Sequence, residues 1–203
     1  MSRKTVILTL ALVVAASGAY AAWPRHADLR GFEPAEIARL ETAMWRDYYE
    51  KRYVALFGHL YELSRTQFGF APLDSVRIAL SAAQAAKAFQ PTGSRAAADA
   101  ALPPLVTYYR LLASAAPGGF DVTEVARLRP EQYGVTVARV AAITYGKPMD
   151  DPSLLISGIG RADAMAYRDA LGQAMTDPDW SEIECRLRRA YSSLKAAVAG
   201  GEP

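Results

Sequence analysis

The sequence predicts an all-α protein, a helical bundle of about five to six helices preceded by an N-terminal signal or anchor helix. Three observations support this fold class. Apolar residues recur with the period of a helix along most of the chain. No stretch combines clean alternation with the β-branched and aromatic residues that are typical of strands. Prolines and glycines also cluster at intervals that divide the chain into segments of helix length.

The N-terminal segment indicates the compartment. Arg3 and Lys4 precede an uncharged run from Thr5 to Trp23. The first half of this run has the length of the apolar region of a secretory signal, and Ala19-Tyr20-Ala21 then provides the small-x-small pattern that a signal peptidase accepts. The whole run is also close to the ~20 residues that a membrane-spanning helix needs. A cleaved signal peptide and a retained anchor both remain open, and both place the rest of the chain outside the cytoplasm.

The predicted organisation has four parts. Residues 1–22 form the signal peptide or membrane anchor, residues 23–33 a linker, residues 34–199 a single all-α domain and residues 200–203 a flexible tail. One domain is the default for a chain of 203 residues, and a hydrophobic content of 51% is enough for a core. If the first segment is not cleaved, we expect membrane contact through residues 5–23.

Capping and helix-breaking residues predict the elements of the domain in order. Pro34 suits the first turn of a helix, where its missing N–H costs no hydrogen bond, and Ser94 is a good N-cap. Clusters of proline and glycine end most of the helices. The predicted helices span residues 34–67, 74–90, 95–115, 121–145, 152–175 and 180–198. Pro104 and Pro130 fall inside two of them, and the sequence leaves open whether they kink or end these helices.

Composition argues against several classes of partner and cofactor. The net charge of +2 equals the charge of Arg3 and Lys4, so the rest of the chain is neutral and offers no electrostatic case for binding nucleic acid. Two histidines, His26 and His59, are too few for most metal sites. The single cysteine, Cys185, excludes an intramolecular disulfide and a covalent c-type haem. We expect it to be partly buried, with an intermolecular disulfide or a reactive thiol as the alternative. The sequence thus predicts no metal and no cofactor.

Catalytic motifs are also missing from the sequence. Gly158-Ile159-Gly160 looks like the start of a dinucleotide-binding loop, but Asp163 occupies the third position of that pattern and no β-α-β unit surrounds it. The sequence contains no nucleophile elbow, no phosphate-binding loop and no zinc-protease motif. An enzyme of a familiar class is therefore not indicated.

Aromatic residues recur at every fourth position of the first predicted helix, at Trp45, Tyr49, Tyr53, Phe57 and Tyr61. An i, i+4 series drifts around a helix of 3.6 residues per turn, so these side chains would contact several neighbouring helices. The structural interpretation is the central helix of a bundle. The functional alternative is an aromatic groove for a peptide, a glycan or an apolar ligand, with Trp45, Tyr49, Tyr53 and Tyr61 as its candidate residues. The tyrosines that would extend such a groove are Tyr48, Tyr108 and Tyr109.

Arg161 and Arg168 lie on the fifth predicted helix among small residues that allow another helix to approach closely. The structural interpretation is a network of ion pairs that docks this helix on the first one. The candidate members of this network are Glu41, Asp47, Arg65 and Asp169. The functional alternative is an anion site, because a guanidinium group matches carboxylates and phosphates.

Three hypotheses of function follow. The leading one is an exported or membrane-tethered bundle that acts as a structural module or interacts with another membrane or periplasmic protein. The second is a periplasmic binder of a small ligand, which uses the aromatic groove and the Arg161 and Arg168 side chains. The third is an enzyme of unfamiliar type with an internal cluster of Glu, Asp and Arg. A cavity of a few hundred Å³ between these helices would favour the second hypothesis.

Overall fold

The structure, a computed structural model, describes residues 3–23, 27–90, 102–128 and 133–199. Within these ranges it contains nine α-helices and no β-strand, which confirms the all-α fold class. The predictions for residues 91–101 and 129–132, which include the Ser94 cap and Pro130, lie outside the described residues, as does the predicted tail.

The helices are α1 (Arg3–Ala22), α2 (Pro34–Tyr49), α3 (Tyr53–Glu62), α4 (Pro72–Phe89), α5 (Leu102–Ala115), α6 (Val122–Arg127), α7 (Tyr133–Tyr145), α8 (Pro152–Leu171) and α9 (Asp177–Ala199). A π-helical turn, Leu63–Gln67, extends α3, and a short 3₁₀ turn, Gly172–Ala174, follows α8. Prolines occupy the first turns of α2, α4 and α8, as their fixed φ angle favours. Pro104 also lies in the first turn of α5, so it does not interrupt the described part of that helix.

The predicted first helix is divided in two by a corner between α2 and α3. Lys51 adopts a left-handed conformation, with φ of 60°, and the amide of Arg52 donates a hydrogen bond of 2.8 Å to the carbonyl oxygen of Asp47. The Arg52 side chain reaches back to the same residue, because its Nε lies 2.9 Å from Asp47 Oδ1. The corner therefore rests on a buried carboxylate and its partners, and no proline or glycine marks it in the sequence.

Two hydrophobic cores divide the interior. The first joins α2, α7, α8 and α9 and includes Phe32, Ile37, Leu154 and Leu187. The second joins α4 and α5 with the segments that precede α2 and α4. Its buried members are Leu29, Phe70, Ile78 and Leu112. Phe68 and Tyr145 pack against both cores, so they mark the line along which the two meet.

Close helix crossings hold α8 against its neighbours. A Cβ atom at Gly134 of α7 would lie 2.9 Å from the carbonyl oxygen of Gly158, and one at Gly158 would lie closer still to the oxygen of Gly134. A Cβ atom at Gly160 would meet Ala190 of α9 at 3.0 Å. Gly158 therefore allows the backbone of α7 to approach closely, and Gly160 leaves room for the side chain of Ala190.

The N-terminal helix α1 touches α4 but contributes no residue to either core. The stretch Thr5–Ala22 is long and apolar enough to cross a membrane, with a mean hydropathy of 2.0, and none of it is buried in the protein. These properties are consistent with a signal sequence or an anchor.

Candidate functional site

A cavity of about 450 Å³ lies where the two cores meet. Side chains from α2, α5, α7, α8 and α9 line it, together with residues near the end of α3. Most of the lining is apolar, and it includes Leu112, Leu154 and Leu194. The aromatic side chains around the cavity are Phe32, Phe68, Tyr108, Tyr109, Tyr133, Tyr145 and Tyr191. We refer to it as the tyrosine cavity.

One ion pair provides the charge in the wall of the tyrosine cavity. Arg161 of α8 donates from Nη2 to Oε1 of Glu41 on α2, and the hydroxyl of Tyr191 on α9 donates to Oε2 of the same carboxylate. The Arg161 guanidinium carbon also lies 5.5 Å from the centre of the Tyr191 ring. Three helices are thus joined through one buried carboxylate, and both of its oxygens are used.

Helical spacing places these polar groups inside apolar stripes. Glu41 follows Ile37 by one turn on the buried face of α2, and Tyr191 lies one turn after Leu187 on the buried face of α9. Arg161 lies one turn after the buried Ser157 on α8. The residues around each group therefore place it in the interior, where Arg161 and Tyr191 both donate hydrogen bonds to Glu41.

Burial and the Glu41–Arg161 pair set the protonation of the site. Burial raises the pKa of Tyr191 well above its ordinary value and also raises the pKa values of Tyr108 and Tyr109. Burial alone would lower the pKa of Arg161, but the neighbouring Glu41 carboxylate outweighs it and the pKa lies well above its ordinary value. The hydroxyls are therefore neutral and the guanidinium charged across the physiological pH range.

Some hydrogen-bonding capacity of the cavity wall is unused. The bond to Glu41 is the one hydrogen bond that Arg161 makes within the described residues, and its Nε is buried without a partner there. The hydroxyls of Tyr108, Tyr109 and Tyr133 likewise have no hydrogen-bond partner among the residues that the structure describes, whereas that of Tyr145 donates to the carbonyl of Leu29 at 3.3 Å. Several residues of the mostly apolar lining therefore carry hydrogen-bonding groups without a partner in the described residues.

The structure separates the sequence-predicted ligand residues. Arg161 lines the tyrosine cavity, whereas Trp45 and Tyr49 pack against the first core from the outside. Tyr53 donates a hydrogen bond to Gln90, and Tyr61 is half-buried on α3 outside the cavity lining. The corner at Lys51 breaks the aromatic series, so these residues do not form one groove.

Arg168 is not part of the same site as Arg161. It lies seven residues further along α8, about 10 Å along the helix axis, where its guanidinium carbon is 3.2 Å from the centre of the Tyr49 ring. Its Nη1 is 3.2 Å from Oδ1 of the neighbouring Asp169. The anion site that would combine both arginines is therefore not assembled.

The remaining predicted ion-pair candidates have other partners. Asp47 is buried, with 2% of its side chain exposed, and accepts hydrogen bonds at the α2–α3 corner, where His59 Nδ1 lies 2.8 Å from Oδ2. It does not reach Arg161 or Arg168, because the corner turns it toward Arg52. Arg65 donates to the carbonyl of Phe70 and has no acidic partner among the described residues. The expected network around α8 is thus reduced to Glu41 with Arg161 and Asp169 with Arg168.

Three cavity tyrosines were not identified from the sequence, namely Tyr133, Tyr145 and Tyr191. A signal was present for Tyr191, since it interrupts the apolar stripe of α9 between Leu187 and Leu194 with a hydroxyl that needs a partner. Tyr133 and Tyr145 lie at the two ends of α7, where the pattern does not distinguish a cavity wall from a helix margin.

The tyrosine cavity offers hydrogen-bonding groups and one ion pair. Glu41 and Arg161 are the charged residues of its lining, and each neutralises the other. In the described ranges no group of three His, Cys, Asp or Glu side chains is placed to hold a metal ion. Cys185 is half-buried on α9, with its sulfur 3.9 Å from Arg188 Nη2 and outside the cavity lining. Comparison with known protein families, curated proteins and solved structures finds no match.

Proposed function

We propose that this protein binds a small ligand in the tyrosine cavity. The observation that carries the proposal is the space of about 450 Å³, whose mostly apolar lining includes several tyrosines and the guanidinium group of Arg161. Ligand pockets commonly have volumes of about 300–1,000 Å³ and combine apolar walls with a few polar groups. A structural bundle has no need of such a space, because an unfilled cavity between cores costs stability.

The proposed place of action is the outer side of a membrane. The apolar helix α1 and the basic residues Arg3 and Lys4 support export, whether α1 is cleaved or retained. A diffusible ligand of the periplasm or a molecule delivered from the membrane surface could then reach the domain.

A thermal-shift screen of small fragments tests the proposal when it is combined with a variant that fills the cavity. Ala141→Phe places a ring in the space, because Ala141 lines the cavity. The matched control is Ala86→Phe, at a half-buried alanine of α4 that does not line it. We expect fragments that raise the melting temperature of the unaltered chain and of Ala86→Phe but not of Ala141→Phe. Fragments that bind equally to both variants, or none that bind, would contradict the proposal.

Protein interaction is the second candidate function, and one surface favours it. Leu155, Ile156 and Ile159 on α8 are exposed, with 61% of Ile156 accessible, although they lie beside the tightest helix crossings of the structure. Exposed apolar side chains grouped on one helix are typical of contact surfaces. A membrane or periplasmic protein is the partner proposed for this surface. A photo-crosslinking residue at position 156 should then capture one defined protein in producing cells, whereas the same residue at exposed Ser192 should not.

A further inference from the structure

The charge balance of the tyrosine cavity restricts the ligands that it can take. Arg161 and Glu41 already neutralise each other, and the tyrosines of the wall carry no charge. An anionic ligand would add a net negative charge beside Glu41, because the lining offers no second cation. A cationic ligand would add a net positive charge beside Arg161, because the lining offers no second carboxylate. Because an unpaired buried charge is strongly disfavoured, either kind of ion is excluded from the site.

The unused hydrogen-bonding groups restrict the ligand further. Nε of Arg161 is buried, whereas Nη1 makes no hydrogen bond to the described residues, and 23% of the side-chain surface is accessible. A guanidinium group donates and cannot accept. The hydroxyls of Tyr108, Tyr109 and Tyr133 can do either, so they adapt to the ligand. The fixed requirement of the wall is therefore a hydrogen-bond acceptor.

We propose that the ligand is an uncharged molecule with an apolar ring system and a carbonyl oxygen that accepts a hydrogen bond from Arg161. The inference rests on the proposed function, since it assigns a chemical class to the occupant of the same cavity. The ring system packs among the aromatic side chains, and the carbonyl oxygen lies on the α8 side of the cavity. The Glu41–Arg161 pair then serves to hold a donor in an interior that admits no net charge.

Three naphthalenes of nearly equal shape test this class. The neutral ketone 2-acetylnaphthalene carries the acceptor, 2-ethylnaphthalene lacks it, and 2-naphthoate carries a negative charge. Binding to the full chain in lipid nanodiscs is measured by equilibrium dialysis, and the value for Ala141→Phe is subtracted because it reports partition into lipid. We expect the ketone to bind at least about tenfold more tightly than the other two, since a hydrogen bond to a charged donor is worth about that factor or more. This ranking uses the unaltered binding site and does not depend on a variant of Arg161.

The conservative variant Arg161→Lys then locates the effect. It retains a cation for Glu41 but loses the guanidinium donors, so the preference for the ketone over the ethyl compound should fall about tenfold. If 2-naphthoate binds most tightly, the argument that the ligand is uncharged is wrong. If the ketone and the ethyl compound bind equally, the ligand does not need a hydrogen-bond acceptor. Both of these outcomes would leave the cavity as a binding site. If no probe binds the unaltered chain better than Ala141→Phe, the proposed function itself fails together with the ligand class.

Discussion

At the scale of single residues, Glu41 determines how three helices meet. Its two carboxylate oxygens accept hydrogen bonds from Arg161 and from Tyr191, which belong to α8 and α9. Buried ion pairs of this kind contribute little net stability compared with apolar residues of similar size, but removal of one partner leaves an uncompensated charge. The pair is therefore better understood as a device that fixes one docking arrangement than as a source of stability.

The substitution Arg161→Met should lower the free energy of unfolding by about 3–5 kcal/mol, because it leaves Glu41 charged and buried. The double variant with Glu41→Gln and Arg161→Met should recover much of this loss, since no charge remains. Urea unfolding followed by circular dichroism measures both. Arg77→Met is the matched control, because Arg77 lies on the surface 3.7 Å from Asp74 and such a pair contributes at most about 1 kcal/mol. An equal effect of the Arg77 and Arg161 substitutions would contradict this account of the buried pair.

Buried tyrosines predict a loss of stability at high pH. Burial raises the pKa values of Tyr108, Tyr145 and Tyr191 above the ordinary value of about 10. Below that pH both states keep these protons and the stability does not depend on them. Above it the unfolded chain releases them and the folded protein retains them, so the free energy of unfolding should fall by about 1.4 kcal/mol per pH unit for each group. Urea midpoints between pH 8 and 11 measure the slope.

The variant Tyr108→Phe provides the control for this pH dependence. It removes one of the buried hydroxyls, so the slope above pH 10 should become smaller by the share of a single group. A slope that is the same in the variant and in the unaltered chain would show that other groups cause the alkaline loss of stability.

At the scale of helices, the sequence predicts where a helix begins better than whether it continues without a break. Local signals determine the starts: proline opens α2, and Asp151 caps α8 by accepting a hydrogen bond from the amide of Ser153 at 2.8 Å. The corner between α2 and α3 has no local signal in the sequence. It depends on the buried Asp47 and its partners Arg52 and His59, and a helical pattern does not predict these contacts. A periodic pattern that continues across such a corner is indistinguishable from one helix.

The same limit explains how much of the candidate site could be predicted. The sequence indicates three of the lining residues as functional candidates, namely Arg161, Tyr108 and Tyr109. The residues that surround them in the cavity could not be predicted from the sequence. Those neighbours are set by the crossing of α7 with α8, which depends on close backbone approach at Gly158. Residue types can be read from a sequence, but a cavity is a property of how helices fail to fill the space between them.

Substitution by alanine should have opposite effects at two helical glycines, one at the crossing of α7 and α8 and one away from it. Gly158→Ala should destabilise the protein by at least about 1–3 kcal/mol, the usual cost of overpacking, because its Cβ would collide with the backbone of Gly134. Gly58→Ala in α3 is the control, since nothing lies within 4 Å of its Cβ position, and the better helix propensity of alanine should stabilise it by up to about 1 kcal/mol. Thermal unfolding of both variants measures the difference. A neutral Gly158→Ala would show that the helices can separate at no cost.

At the scale of the whole molecule, α1 touches α4 but contributes no residue to either core. The stretch Thr5–Ala22 is apolar and not buried in the protein, which is consistent with a signal sequence or an anchor. None of its residues lines the tyrosine cavity. We therefore expect α1 to affect where the protein is located, and the residues of the bundle to form the proposed binding site.

A fusion of alkaline phosphatase to the C-terminus tests the location of the bundle, because this reporter enzyme is active only outside the cytoplasm. We expect an active fusion, since Arg3 and Lys4 hold the N-terminus inside. The same fusion without residues 5–22 should be inactive. Intact mass measurement of the isolated chain then distinguishes a protein cleaved after Ala21 from one that keeps its anchor. An inactive full-length fusion would place the bundle in the cytoplasm and exclude export.

The shared position of Phe68 and Tyr145 between the two cores has a consequence for cooperativity. Because both residues pack against the two cores, opening of either core would disturb contacts of the other. A ligand bound in the tyrosine cavity, as proposed, would contact residues of both cores and stabilise the state in which both are folded. If the proposed ligand exists, we therefore expect its binding to make the two cores unfold more cooperatively, without a change in the fold.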